Sequence, residues 1–238
     1  MKRNSTFLIW AIVFLVLFVV NTLLVIFVDV QPVGLQGSNV GMAGINTAVY
    51  NFFGSNPLWH KATTLLGYLQ VFLAAIYVPV LIYQFIRYRS FAKIDKSILI
   101  FLLFSLIVLA FYVGLGKIPI NFRPVLDDGM LKPSYPSCHT ILSFGVTGMI
   151  FVQVLAKFRP SKLKVLCLIL LAGIMLLSSF GRLPAGDHWL TDIIGGLFLG
   201  LMLVMLYCYF AGPYLNRKPE KLTGTDPAVP QARHARIN

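Results

Sequence analysis

Charge is scarce in this chain. Only 12% of its 238 residues are charged, and eight acidic residues stand against twenty basic ones. With 58% apolar residues and a mean hydropathy of +0.80, the chain has far more apolar surface than a soluble domain of this size needs. Cysteine is equally sparse. Cys138, Cys167 and Cys208 are too few for a disulfide framework, and the last two lie inside apolar runs, where cysteine is a small packing residue. No small-x-small cleavage site follows the first apolar run. Lys2 and Arg3 precede it as a signal peptide's n-region would, but the run is too long, so it reads as an uncleaved span. No internal repeat and no low-complexity tract divides the chain.

What is present is long apolar runs. Six of them, at about 6–28, 62–86, 97–115, 138–156, 165–181 and 190–211, are each long enough to cross a bilayer as a helix. The expected fold is all-α, a six-transmembrane-helix bundle. Residues 1–212 form its single domain, and the polar stretch 213–238 is a disordered tail. The net charge of +12 invites a nucleic-acid partner, but its distribution argues against one. Fifteen of the twenty cations fall in four groups: Lys2 and Arg3; Arg87, Arg89, Lys93 and Lys96; Lys157, Arg159, Lys162 and Lys164; and Arg217, Lys218, Lys221, Arg233 and Arg236. Six spans put all four groups on one face. The positive-inside rule makes that face cytoplasmic, with both termini inside, and gives the cations anionic lipid heads to meet.

Some smaller signals have structural readings. Residues 29–61 form the first outer loop, and Ala43 to Phe53 within it read as a short interfacial helix, either a plain lid or a gate for lipid entry. Trp10, Trp59 and Trp189 read as interface anchors. Pro79 is placed to kink the second span. Gly196 and Gly200 make a G-x-x-x-G step that lets the last helix pack closely. Asp127-Asp128-Gly129 reads as a turn rather than as a metal ligand set.

Five cations remain on the outer face: Lys61, Lys117, Arg123, Lys132 and Arg182. Three of them belong to polar stretches at the edges of apolar runs. Lys117 and Arg123-Pro124 follow the third span, and two cations so close repel unless an anion lies between them. Pro136-Ser137-Cys138-His139 opens the fourth span. Ser137 reads as its N-cap, and His139 falls in a first turn whose free N–H groups favour an anion. Gly181-Arg182 precedes Asp187, His188 and Asp192. Here Asp187 reads as the N-cap of the last helix, while His188 and Asp192, four apart, share a face of it. A carboxylate beside an imidazole fixes its tautomer and frees the other nitrogen as a nucleophile, and a guanidinium fork suits a phosphoryl group. Each stretch alone also fits a packing or snorkelling role. Together, on one face, they point to a phosphate site.

The order of these residues resembles the type 2 phosphatidic acid phosphatase superfamily of membrane lipid phosphatases, over about residues 60–212. The match is K-x5-R-P at Lys117 and Arg123, P-S-x-H at Ser137 and His139, and R-x5-H-x3-D at Arg182, His188 and Asp192. The chain departs from that pattern in three places. It has five residues rather than six between Lys117 and Arg123, Cys138 where glycine is usual, and Gly181 where serine is usual. The resemblance implies that His188 attacks phosphorus, Asp192 orients it and His139 protonates the leaving oxygen. It implies that Lys117, Arg123, Arg182, Ser137 and Cys138 hold the phosphoryl group, with no metal and no cofactor. The substrate implied is a lipid phosphate: phosphatidylglycerol phosphate, phosphatidic acid or an isoprenoid diphosphate. The expected setting is a bacterial plasma membrane, with the site on its extracytoplasmic side. The same residues would serve a lipid phosphotransferase. A non-catalytic or transport protein binding an anionic lipid is the other class, and the peripheral position of the polar cluster argues against it.

Overall fold

The structure, a computed structural model, describes residues 4–127 and 129–215. The basic residues at 2, 3 and 217–236, Asp128, and most of the polar tail lie outside the described residues. No sheet forms among the described residues, only three isolated β-bridges. Nine α-helices do: α1 (Ser5–Phe27), α2 (Ala43–Phe53), α3 (Pro57–Ala75), α4 (Tyr77–Tyr88), α5 (Lys96–Leu115), α6 (Cys138–Leu142), α7 (Gly148–Lys157), α8 (Lys162–Phe180) and α9 (Leu190–Leu215). They make six candidate membrane spans, because α3 and α4 run on as one, as do α6 and α7.

The starts of the spans are set by side-chain caps. Asn4 Oδ1 accepts from Thr6 N, Asn56 Oδ1 from Leu58 N, Asp95 Oδ1 from Ser97 N, and Ser161 Oγ from Lys164 N. Each satisfies an amide that the first helical turn leaves open. Pro57 at the first position of α3 needs no amide partner. The second span breaks at Ile76, three residues before Pro79. Proline has no N–H to give the carbonyl four residues back, so the helical ladder is interrupted there. The fourth span widens into a π turn over Ser143–Thr147, between α6 and α7. Its last helix reaches Leu215, past the expected end of the domain at 212, with Pro213 inside it.

The six spans alternate in direction, which sends the connections 28–56, 116–137 and 181–189 to one end of the bundle. The basic turns at 89–95 and 158–161 lie at the other. Apolar side chains from α1, α5, α6, α7 and α9 form the core, with Phe101, Val108, Ile141, Met149, Leu203 and Tyr207 fully or nearly buried. Ile9, Val16, Leu65, Phe72, Leu106, Leu163 and Ile169 face outward. A surface so apolar suits hydrocarbon, because no polar contact is asked of it. Within the bundle, glycine lets α9 come close to the fourth span. A Cβ on Gly196 would lie 2.6 Å from Ser137 O, and one on Gly200 would lie 2.8 Å from Phe144 Cβ. The G-x-x-x-G step is therefore a packing seam, and it carries the first turn of α9 against that of α6.

Candidate active site

Two of the connections at one end of the bundle, 116–137 and 181–189, and the adjoining ends of α3, α6 and α9 supply the polar residues. Ser137 caps the fourth span as expected: its Oγ accepts from Thr140 N at 3.4 Å and from Thr140 Oγ1 at 3.0 Å. Its own N–H donates to Asp192 O at 3.0 Å, which ties the start of this span to the start of α9. The Ser137 hydroxyl is thus committed to the cap. The Cys138 thiol points at Tyr112 O, 3.4 Å away at the end of α5. His139 follows in the first turn, with the Tyr112 ring 5.8 Å from its own. Gly67 of α3 lies against it, since a Cβ there would be 3.2–3.3 Å from the His139 ring. Below it, Ser143 Oγ donates to His139 O at 2.8 Å and pairs with buried Gln70, which steadies the backbone where the π turn begins.

Arg182 sits just past α8, 2% exposed. One arm of its guanidinium, Nη1, donates to Asp187 Oδ2 at 2.5 Å. The other, Nη2, contacts His139 Nε2. A guanidinium only donates, so His139 Nε2 accepts here and the His139 proton rides on Nδ1. Asp187 also receives His60 Nδ1 at 2.9 Å and 3.0 Å. Burial works to raise the Asp187 carboxyl. The Arg182 charge and the His60 contact outweigh it and hold it below the usual carboxylate range. Burial pulls the Arg182 guanidinium down, against the support of Asp187. Asp187 therefore does not cap α9. Its carboxylate is spent on Arg182 and His60, and Trp189 takes the cap position. Asp192, in the first turn, reaches back with Oδ2 to Trp189 N at 2.9 Å.

His188 accordingly precedes α9 instead of sharing its face. It still meets Asp192, with Nδ1 3.5 Å from Oδ2, a close approach that falls short of a hydrogen bond. Both are buried, at 5% and 0% exposure. Burial lowers the basicity of His188, the Arg123 and Arg182 charges lower it further, and the Asp192 carboxylate acts against them. The imidazole is thus neutral at neutral pH, the form a nucleophile needs.

Arg123 lies in the 116–137 connection, which folds back on itself. Its N–H donates to Lys132 O, and bridges join Phe122 to Pro133 and Asp127 to Met130. Gly129, at φ +74°, helps the chain reverse between Asp127 and Met130. Asp127 pairs with Arg123 at 2.7 Å and with Lys132 at 3.2 Å. Arg123 and Arg182 both lie close enough to His139 and His188 to act on them electrostatically. Lys117 is not brought in. It is exposed in the turn after α5, and its ammonium makes no hydrogen bond or ion pair among the described residues. Trp189 is not an interface anchor. It is 3% exposed, donates from Nε1 to Phe122 O at 2.7 Å, and holds the Arg123 loop against α9.

Four buried polar atoms in this cluster have no partner: Arg123 Nε, Arg182 Nε, His188 Nδ1 and Asp192 Oδ1. Burying such groups unpaired is costly. A cluster that gathers two guanidinium donors around a neutral imidazole is suited to an anion with several oxygens. Among the described residues, no group of three or more His, Cys, Asp and Glu is placed to hold a metal ion. Nothing in the local sequence marks His60, Asp187 as the partner of Arg182, or Gly67. His60 lies about 80 residues from His139 and over 120 from Asp187. Only the meeting of α3 with the 181–189 connection joins them.

Residues 120–214 match the model of the PAP2 superfamily. The match contains Arg123, Ser137, Cys138, His139, Arg182, His188 and Asp192, and begins three residues after Lys117. One solved structure shares the fold: the crystal structure of the first transmembrane PAP2 type phosphatidylglycerolphosphate phosphatase from Bacillus subtilis. It has a TM-score of 0.56 at 20% identity over 88% of this chain and 98% of that one. No curated protein matches. The segment at 120–214, which carries the cluster around His139, Arg182 and His188, is thus similar to the PAP2 superfamily.

Proposed function

We propose that the protein is a membrane lipid phosphatase that works through a phosphohistidine, without a metal. The observation that carries this reading is the set of unpartnered atoms at the site. Two buried guanidinium Nε donors stand beside a neutral imidazole whose own carboxylate partner is in place. In the reaction proposed, the phosphoryl oxygens take the donors of Arg123 and Arg182. Arg182 leaves His139 Nε2 as its fork closes on the phosphoryl group. His188 attacks through Nε2, and its Nδ1 proton turns to Asp192. His139 Nε2, freed from Arg182, takes up the remaining proton of the bound phosphate group; the bond from phosphorus to the lipid oxygen then breaks, and that oxygen takes this proton from His139. Water then attacks the phosphohistidine, gives its proton back to His139, and inorganic phosphate leaves. The arginines supply charge where it develops on the equatorial oxygens. Lys117 has the reach of a flexible side chain in this scheme, and the amides at Cys138 supply the helix N-terminus.

The substrate proposed is a lipid whose phosphate lies at the membrane boundary: phosphatidylglycerol phosphate, phosphatidic acid or an isoprenoid diphosphate. The similar Bacillus structure is named for the first of these. The basic turns at the far end of the bundle support an orientation with that end in the cytoplasm of a bacterial plasma membrane and the site outside. Phosphate release by the purified protein from each of these lipids, beside His188→Ala, tests the reading. Release from one lipid that disappears in the variant is expected. Transfer of the phosphoryl group to a second lipid, with no free phosphate, would make the protein a phosphotransferase. Full activity in His188→Ala would refute the nucleophile.

A further inference from the structure

Thr191 stands between His188 and Asp192 and is 4% exposed. Each of its polar groups is held by a residue from the first fifty of the chain. Its N–H donates to Asn46 Oδ1 at 3.2 Å. Its Oγ1 accepts from Asn46 Nδ2 at 2.9 Å. Its carbonyl accepts from Asn21 Nδ2 at 3.1 Å. Asn46 Nδ2 also reaches Gly41 O at 2.8 Å, and Asn21 Nδ2 reaches the Tyr135 hydroxyl at 3.0 Å. Asn46 is wholly buried and Asn21 is 8% exposed.

The Asn46 contacts fix the amide's orientation, because a flipped amide would set NH2 against the Thr191 N–H. They also meet a need of α9. The Thr191 N–H belongs to its first turn and has no partner within the helix. Asp192 serves Trp189 N from the same turn, and the Thr191 N–H goes to Asn46 instead. A side chain from α2 caps it in trans, while α1 holds the other end of the same residue. Neither helix lies within residues 120–214.

We infer that Asn46 and Asn21 are positioning residues for the His188–Asp192 pair: they lock the first turn of α9 so that the Asp192 carboxylate faces His188. This rests on the reading of His188 as nucleophile. Neither asparagine touches the reacting atoms; both act through Thr191. Helix α2 is thereby more than a cover over the membrane boundary, since its buried face fixes the geometry of the site.

The test compares Asn46→Asp, Thr191→Val and Thr191→Ser with the wild type, all as full chains in detergent. Asn46→Asp removes two donors at nearly constant shape. Thr191→Val removes only the hydroxyl and is the variant least expected to misfold. Leu203→Ala, in the bundle core far from the site, serves as the control for plain loss of stability. In Asn46→Asp and Thr191→Val, kcat should fall by about 10–100-fold, the range for partners that orient a reactive group, with KM nearly unchanged. Thr191→Ser should keep most of the wild-type kcat, and Leu203→Ala should lower the melting temperature while keeping kcat. Wild-type kcat in Asn46→Asp, or a loss shared equally by Leu203→Ala, would overturn the inference. Should the wild type release phosphate from no lipid, the phosphatase reading fails instead. The NMR titration of the His188 ring then still reads the clamp: its midpoint should move in Asn46→Asp, and an unmoved midpoint would overturn the clamp itself.

Discussion

Removing the Arg182 guanidinium should damage stability and turnover for different reasons, and the two can be separated. Arg182→Ala deletes the donor to Asp187 and the contact to His139. The Asp187 carboxylate, 3% exposed on its side chain, keeps only His60, whose side chain is 44% exposed. Breaking a buried pair by removing one partner costs about 3–5 kcal/mol, mostly because the other charge is stranded. Losing one preorganised donor to the developing charge costs about 10²–10³ in kcat, or about 2.7–4 kcal/mol in the barrier. Stability should therefore return in the double variant Arg182→Ala/Asp187→Ala, where no charge is stranded, and turnover should not. Arg182→Lys should recover much of the stability but little of the rate, since an ammonium lacks the planar fork. Denaturation in detergent and phosphate release, measured on the same preparations, give both numbers. Recovery of turnover in the double variant would show that Arg182 acts only by holding Asp187, and would refute its role at phosphorus.

The remaining predictions concern the imidazoles, a glycine and metal. With its basicity lowered by burial, His188 should titrate below the ordinary 6.5, so the neutral form persists as pH falls through that value. A ring-signal midpoint above 6.5 by NMR would contradict this. Because the unfolded chain takes up that proton first, the His188 contribution to stability is intact above about 6.5 and is lost as pH falls below it. Gly67→Ala would set a methyl 3.2 Å from the His139 ring. Turnover should drop by about tenfold or more with little loss of stability, as expected when a reacting group is displaced by a fraction of an ångström. Chelators should leave phosphate release unchanged, and strong inhibition by them would overturn the metal-free scheme.

The spans were legible because bilayer length and hydropathy constrain them in the same way everywhere along the chain. The ends of five of the six predicted runs fall within a few residues of the observed helices, and the break near Pro79 follows from a missing N–H. Ser137 was legible as a cap for the same local reason. The errors share one physical cause. Asp187 and Trp189 were read from local sequence, but their surroundings come from distant segments. Asp187 looks like a helix cap until Arg182 and His60 claim it, and Trp189 looks like an anchor until Phe122 O and the Tyr50 ring, 5.7 Å away, bury it. His60, Asn21 and Asn46 carried no signal, because a lone histidine or asparagine beside an apolar run is ordinary. Their importance arises only when α1, α2 and α3 close around the start of α9.

That closure sets up the last prediction. The site holds four buried atoms without partners, and the unbound protein bears the cost of each. An anion that satisfies the two guanidinium donors among them binds the folded state and not the unfolded chain, so it should stabilise by mass action, by about 2.7 kcal/mol at a hundred times its Kd. Inorganic phosphate, and vanadate as a mimic of the five-coordinate phosphoryl group, should both raise the melting temperature in detergent, with vanadate effective at the lower concentration because the site is built for the transition state. Chloride at equal ionic strength should not, since it cannot span two guanidinium groups. The dependence on residues is as specific: Arg123→Ala should weaken the shift, and Lys117→Ala should change it least, because the Lys117 ammonium stands outside the cluster in the resting structure. Equal stabilisation by chloride and phosphate would mean that the cations are merely screened from one another, and would remove the argument that the orphaned donors converge on one anion.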